Sequence, residues 1–131
     1  MLLKPVAPVK KVPLKNAKTS SDLNSSLHKA EMVIDGKVNT YCHTKTGYSQ
    51  WWSADFDGDK LYKVTKVRIR NSIKNPHRLG GAIVKLDDTL FGSGKLPNKT
   101  ESGQWYEIST KGPIYGYNIK VETTFNTCLH F

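Results

Sequence analysis

The stretch TYCHTKTGYSQWW, residues 40–52, brings Cys42, His43, Trp51 and Trp52 close together in a chain that holds only 2 Cys, 4 His and 3 Trp. A cysteine beside a histidine suggests nucleophilic chemistry. Adjacent side chains on an extended segment, however, point to opposite faces, which argues against a Cys–His pair. The carboxylates Asp55, Asp57 and Asp59 of DFDGD are spaced two apart, which suits a turn or a weak calcium loop better than paired acid and base groups. The chain therefore reads as a non-enzyme.

The cations are better placed for work. In TKVRIR, alternation sends Val67 and Ile69 to one face and Lys66, Arg68 and Arg70 to the other. The following NSIKNPHRL adds Lys74, His77 and Arg78 on a proline-containing loop, where binding residues carried by a rigid sheet are common. Arginine suits bidentate hydrogen bonding to carboxylate, sulfate or vicinal hydroxyls. A formal net charge of +9 favours acidic glycans, nucleic acid or membrane headgroups as partners. Nucleic acid ranks last, because the strip of Lys66, Arg68 and Arg70 is expected to lack interleaved exposed aromatics. Trp51 reads either as a surface stacking platform for a sugar or base, or as core.

The elements that must hold these residues are short and β-like. No sustained i, i+3, i+4 apolar pattern occurs, and alternating runs predict strands at 51–56, 63–70, 82–86, 104–108 and 115–123. DGDK, KNPHRLGG, FGSGKLPNKTESG and TKGP read as turns between them. Together these indicate an all-β antiparallel sandwich or jelly roll. In 131 residues, one domain over 16–131 is expected, preceded by a basic Lys/Pro/Val arm or edge strand at 1–15. A short helical turn with a Ser or Asp cap is expected within 19–30. No run approaches the length of a membrane-spanning helix, and MLLKPVAP is too short for a signal peptide. Any export signal has therefore been removed or belongs to a longer parent. Cys42 and Cys128 read either as one long-range bridge, worth roughly 4–5 kcal/mol in the chain-entropy model, or as two buried thiols. The sequons at Asn24 and Asn98 lean toward secretion.

The succession AEMVIDG, CHT, WWSADF, VTKVRIRN, RLGGAIVKL and YGYNIKVET…CLHF resembles the F-type lectin or fucolectin domain, within the wider discoidin and coagulation-factor-like group of galactose-binding jelly rolls. The resemblance covers nearly everything after residue 15, and the order of segments is more specific than any one of them. It implies a fucose pocket built from a histidine, an arginine, an acidic residue and a second basic residue. His43 matches the histidine. The family's spacing lands on Arg70, whereas alignment of the strand end lands on Ser72. The acidic member falls on Ser72 or Lys74, so it is absent, and the final basic member falls on His77 or Arg78.

The resemblance further implies a structural calcium held by Asp35 and Thr40, weakened because Leu129 stands where a second carboxylate is expected. It also implies a bridge between Cys42 and Cys128. The expected function is that of an extracellular, non-catalytic module recognising fucosylated or anionic glycans through a basic loop pocket, within a longer protein or an oligomer. The alternative is a discoidin-like protein- or membrane-interaction domain that has lost sugar binding.

Overall fold

The structure is a computed structural model that describes residues 10–21, 29–37, 40–58 and 60–131. Its strands are β1 (Leu14–Thr19), β2 (Trp51–Phe56), β3 (Tyr62–Arg70), β4 (Ile83–Leu86), β5 (Thr89–Lys95), β6 (Trp105–Gly116) and β7 (Asn118–Glu122). A five-stranded sheet has the order β1-β2-β7-β4-β5, and β3 pairs with β6 in a second sheet. All pairings are antiparallel. The all-β sandwich expected from the alternating runs is thus the observed fold.

The core between the sheets follows directly from alternation. Trp52, Ala54 and Phe56 of β2 are buried, as are Val67 and Ile69 of β3, while Lys66 and Arg68 face solvent. Trp52 packs edge-on against Phe131 and donates its indole N–H to the Ala30 carbonyl at 2.9 Å. That bond satisfies the one polar group of an otherwise apolar side chain and fixes the 3₁₀ turn Ala30–Ile34 over the sheet.

Three expectations require correction. TKGP is not a turn, since residues 110–113 lie inside β6. The segment 115–123 is not one strand: β6 ends at Gly116 and β7 begins at Asn118, so the chain changes sheets between them. Glycine is required at the corner, since a Cβ on Gly116 would lie 2.7 Å from the Leu86 side chain. The Asp87 carboxylate accepts the N–H groups of Tyr117 and Asn118, both at 2.9 Å, and holds the corner in place. The opening FGSGK of FGSGKLPNKTESG belongs to β5, while the rest is loop; this part of the strand reads as a turn because Gly92 and Gly94 adopt positive φ inside it. The edge strand β1 at 14–19 overlaps the end of the expected 1–15 arm or edge strand, and residues 1–9 of that arm lie outside the described residues. Most of the expected 19–30 turn, with the Asn24 sequon, also falls outside it.

Candidate binding site

The loop after β3 is tightly clamped. Asn71, buried, donates from Nδ2 to the carbonyls of Pro76 at 2.8 Å and Glu101 at 2.9 Å. Thr100 donates to the same Pro76 carbonyl at 2.6 Å, and Ser102 donates to Ile73 O at 2.8 Å. Asn75 takes the left-handed conformation that asparagine tolerates, and Pro76 opens the 3₁₀ turn Pro76–Leu79. These bonds place Arg78 at a fixed point on the rim.

His43 comes from a separate loop. Cys42 N–H donates to Phe131 O at 3.1 Å and Thr44 N–H to Leu129 O at 3.0 Å, so His43 sits opposite His130 in a short antiparallel bridge. The His43 Nδ1 lies 2.8 Å from the Thr44 carbonyl, and its Nε2 lies 2.8 Å from Arg78 Nη1. A guanidinium only donates and a carbonyl only accepts. The ring is therefore neutral, with its proton on Nδ1 and its Nε2 lone pair taken by Arg78. The imidazole also packs at 4.9 Å against His130, which stands edge-on to Tyr41 at 4.2 Å.

Two residues 35 apart in sequence thus form one polar unit, in which His43 braces Arg78. This changes the chemistry expected of the histidine: its acceptor nitrogen is committed to the guanidinium and does not wait for a sugar hydroxyl. Of the five N–H donors of Arg78, the remainder are the groups that can meet ligand oxygens.

The other expected site residues lie as follows. Arg70 ends β3 opposite Trp105, beside the turn at Gly103, where a Cβ would come within 3.4 Å of its Nη2. Ser72 is buried, and its hydroxyl accepts the Lys74 N–H at 3.1 Å, a loop-shaping role. His77 is exposed beside Arg78. Trp51 is half-buried on β2, with Lys120 Nζ 5.4 Å from its ring centre, next to a hollow lined by Ala17, Lys29 and Glu31. Asn71 and Thr100 escaped the sequence reading, since isolated polar residues carry no periodic signal. The rim also exposes Ile73, Tyr48 and Phe125. The loops of the last two are joined by the Gly47–Thr127 bridge, and Thr124 ties the second of them to Gly81 O at 2.9 Å.

The expected metal ligands do converge. Thr40 Oγ1 lies 2.7 and 2.9 Å from the Asp35 carboxylate oxygens, 3.2 Å from Met32 O and 3.3 Å from Lys37 O. This hard-oxygen set fits calcium, with Asp35 and Thr40 as side-chain ligands, but it holds one carboxylate. Leu129 is fully buried and adds no charge. Among the described residues no group of three or more His, Cys, Asp or Glu gathers for a metal. The weak calcium loop considered at 55–59 is not formed by its described members. Asp55 accepts from Asn118 Nδ2 at 2.9 Å, while Asp57 caps Gly58 N–H at 2.9 Å as a turn residue; Asp59 falls outside the described residues. Cys42 and Cys128 are both buried, and the expected bridge between them is absent from the structure.

No protein-family model matches the sequence, and no curated protein matches it. Solved structures do match in fold. A fucolectin from striped bass (Morone saxatilis) serum superposes with TM-score 0.74 at 23% identity, over 88% of this chain and 43% of that longer chain. The family 32 carbohydrate-binding module of C. perfringens NanJ, solved with galactose, gives TM-score 0.71 at 21% identity over 88% and 87% of the two chains. A fucose-binding module of Streptococcus pneumoniae gives 0.68 at 24%, over 88% and 85%. The chain therefore shares with these solved structures the fold of a two-sheet antiparallel β-sandwich.

Proposed function

We propose that this domain is a non-catalytic glycan-binding module whose contact point is Arg78, braced by His43. The observation that carries this reading is the 2.8 Å contact between Arg78 Nη1 and His43 Nε2, which joins two loops at one rim of the sandwich. Rigidly held guanidinium donors suit sugar ring and hydroxyl oxygens, and equally sulfate or carboxylate groups. Fucosylated and anionic glycans are accordingly the ligand classes assigned to this rim. The sugars named with the structural neighbours, galactose and fucose among them, support the same class. Extracellular placement as part of a longer protein accompanies the proposal.

A glycan array run with and without calcium, at two salt concentrations, tests the reading. Discrete hits that survive high salt and disappear in Arg78→Ala support it. Silence across the array overturns it.

A second reading is favoured by the exposed Ile73, Tyr48 and Phe125 on the same rim. Apolar side chains on neighbouring loops suit a protein or membrane surface. Cosedimentation with anionic vesicles that is lost in Phe125→Ser, together with a silent array, would identify that function in place of glycan binding.

A further inference from the structure

We propose that the outward face of the β3–β6 sheet is a second binding surface, separate from the rim, for an anionic polysaccharide. The strand register assembles it. Arg70 pairs with Trp105, Arg68 with Glu107, Lys66 with Ser109 and Lys63 with Tyr115. Their alternates Val64, Val67, Ile69 and Ile108 are buried in the core, so the paired set points outward together. Trp105 and Tyr115 are each 55% exposed, an unusual display for aromatics of that size on a sheet face.

Four cations and one carboxylate share this face. Glu107 lies 3.5 Å from Lys66 Nζ and 3.8 Å from Arg68 Nε, on side chains roughly half exposed. Such surface pairs are worth at most about 1 kcal/mol, so one glutamate does not cancel the field. Lys63 to Arg70 spans about 23 Å at strand spacing, a line of charge suited to a chain ligand. Interleaving of aromatics with the cations is invisible within either strand alone, because the cations come from β3 and the rings from β6.

The same geometry chooses between polyanions. Single-stranded nucleic acid is held by successive bases stacking on aromatic rings. Here Arg68 Cζ already lies 4.8 Å over the Trp105 ring, and Tyr115 stands at the far end of the strip. The presented groups are ammonium and guanidinium, which recognise sulfate or carboxylate repeated along a sugar chain.

The test uses the full chain with heparin as probe, measuring affinity across salt concentration. The expected result is binding whose log-affinity falls with log salt. The double variant Lys66→Gln/Arg68→Gln should bind about tenfold more weakly and reduce that slope by about two, one per cation removed. The same weakening should appear when Lys66→Gln/Arg68→Gln is made in an Arg78→Ala background, which separates this surface from the rim. Circular dichroism and thermal melting verify that the variants fold, and Arg68→Lys should restore most of the affinity. No heparin binding at physiological salt, an unchanged double variant, or a weakening that disappears in the Arg78→Ala background overturns the proposal. So does oligo-dT that binds more tightly than heparin and displaces it.

Discussion

Arg78 donates from Nη1 to His43 Nε2 at 2.8 Å, while the opposite nitrogen of the same ring is held 2.8 Å from the Thr44 carbonyl. The arrangement ties the direction of the guanidinium to the protonation of the imidazole. Protonating Nε2 would set two donors against each other and release Arg78 from its brace.

Glycan affinity should therefore fall as acidification protonates the histidine, and the dependence should vanish in His43→Gln, whose amide oxygen can still accept from Arg78. Arg78→Ala should weaken binding by about tenfold or more, the usual scale of a lost charge-assisted hydrogen bond. Isothermal titration against the best array ligand at several pH values measures both. An acid-insensitive parent would refute the brace.

Asn71 is buried and supplies two donors to the loop that carries Arg78. Asn71→Leu leaves the carbonyls of Pro76 and Glu101 short of a partner, a cost of about 1–3 kcal/mol in urea unfolding. Glycan affinity should fall along with stability because the loop loses its anchor. A variant as stable as the parent would remove Asn71 from this role.

Calcium should raise the melting temperature only as its concentration approaches millimolar, since the Asp35–Thr40 oxygen set contains one carboxylate. Leu129→Glu should shift the response to lower calcium by adding the second charge, provided the domain still folds. A shift of several degrees at micromolar calcium in the parent would contradict this account.

The hydrogen bond from Asn118 holds the Asp55 carboxyl below its ordinary value of 3.8; partial burial opposes it, and Asn16, Lys18 and Lys15 assist. A carboxyl lowered in the folded state contributes stability that is present above the unfolded value. That contribution is lost as the pH falls from there through the folded value. Acid unfolding should be shallower below about pH 4 in Asp55→Asn, whose loss of stability at neutral pH should largely disappear in strong acid. Parallel stability profiles for the two proteins would exclude the linkage.

Much of the architecture can be read from side-chain alternation, because β2 and β3 each bury one face: Trp52, Ala54 and Phe56, then Val67 and Ile69. β5 could not be read so, since Gly92 and Gly94 turn a strand into apparent turn chemistry. The β6–β7 corner was hidden because alternation continues through Gly116. At the site, family likeness named His43 beside Arg70, Ser72, His77 and Arg78 as candidates, without a contact between any two of them and without the committed Nε2. That depends on the backbone carbonyl of Thr44, which no side-chain pattern encodes. Thr100 and Asn71 act through single hydrogen bonds to backbone and are likewise silent in sequence.

The bridge that seats His43 joins segments as distant as Thr44 and Leu129, whose direct hydrogen bond spans 85 positions. Once β2 has paired with β7, Trp51 against Glu122, only the short segments out to Thr44 and Leu129 remain to be joined, so the bridge forms after the sheet that brings its ends together. A molecule can then complete both sheets while its rim is still unassembled. Ligand capture during refolding would lag behind the recovery of β-sheet signal, and serve as a clock for the last step to native structure.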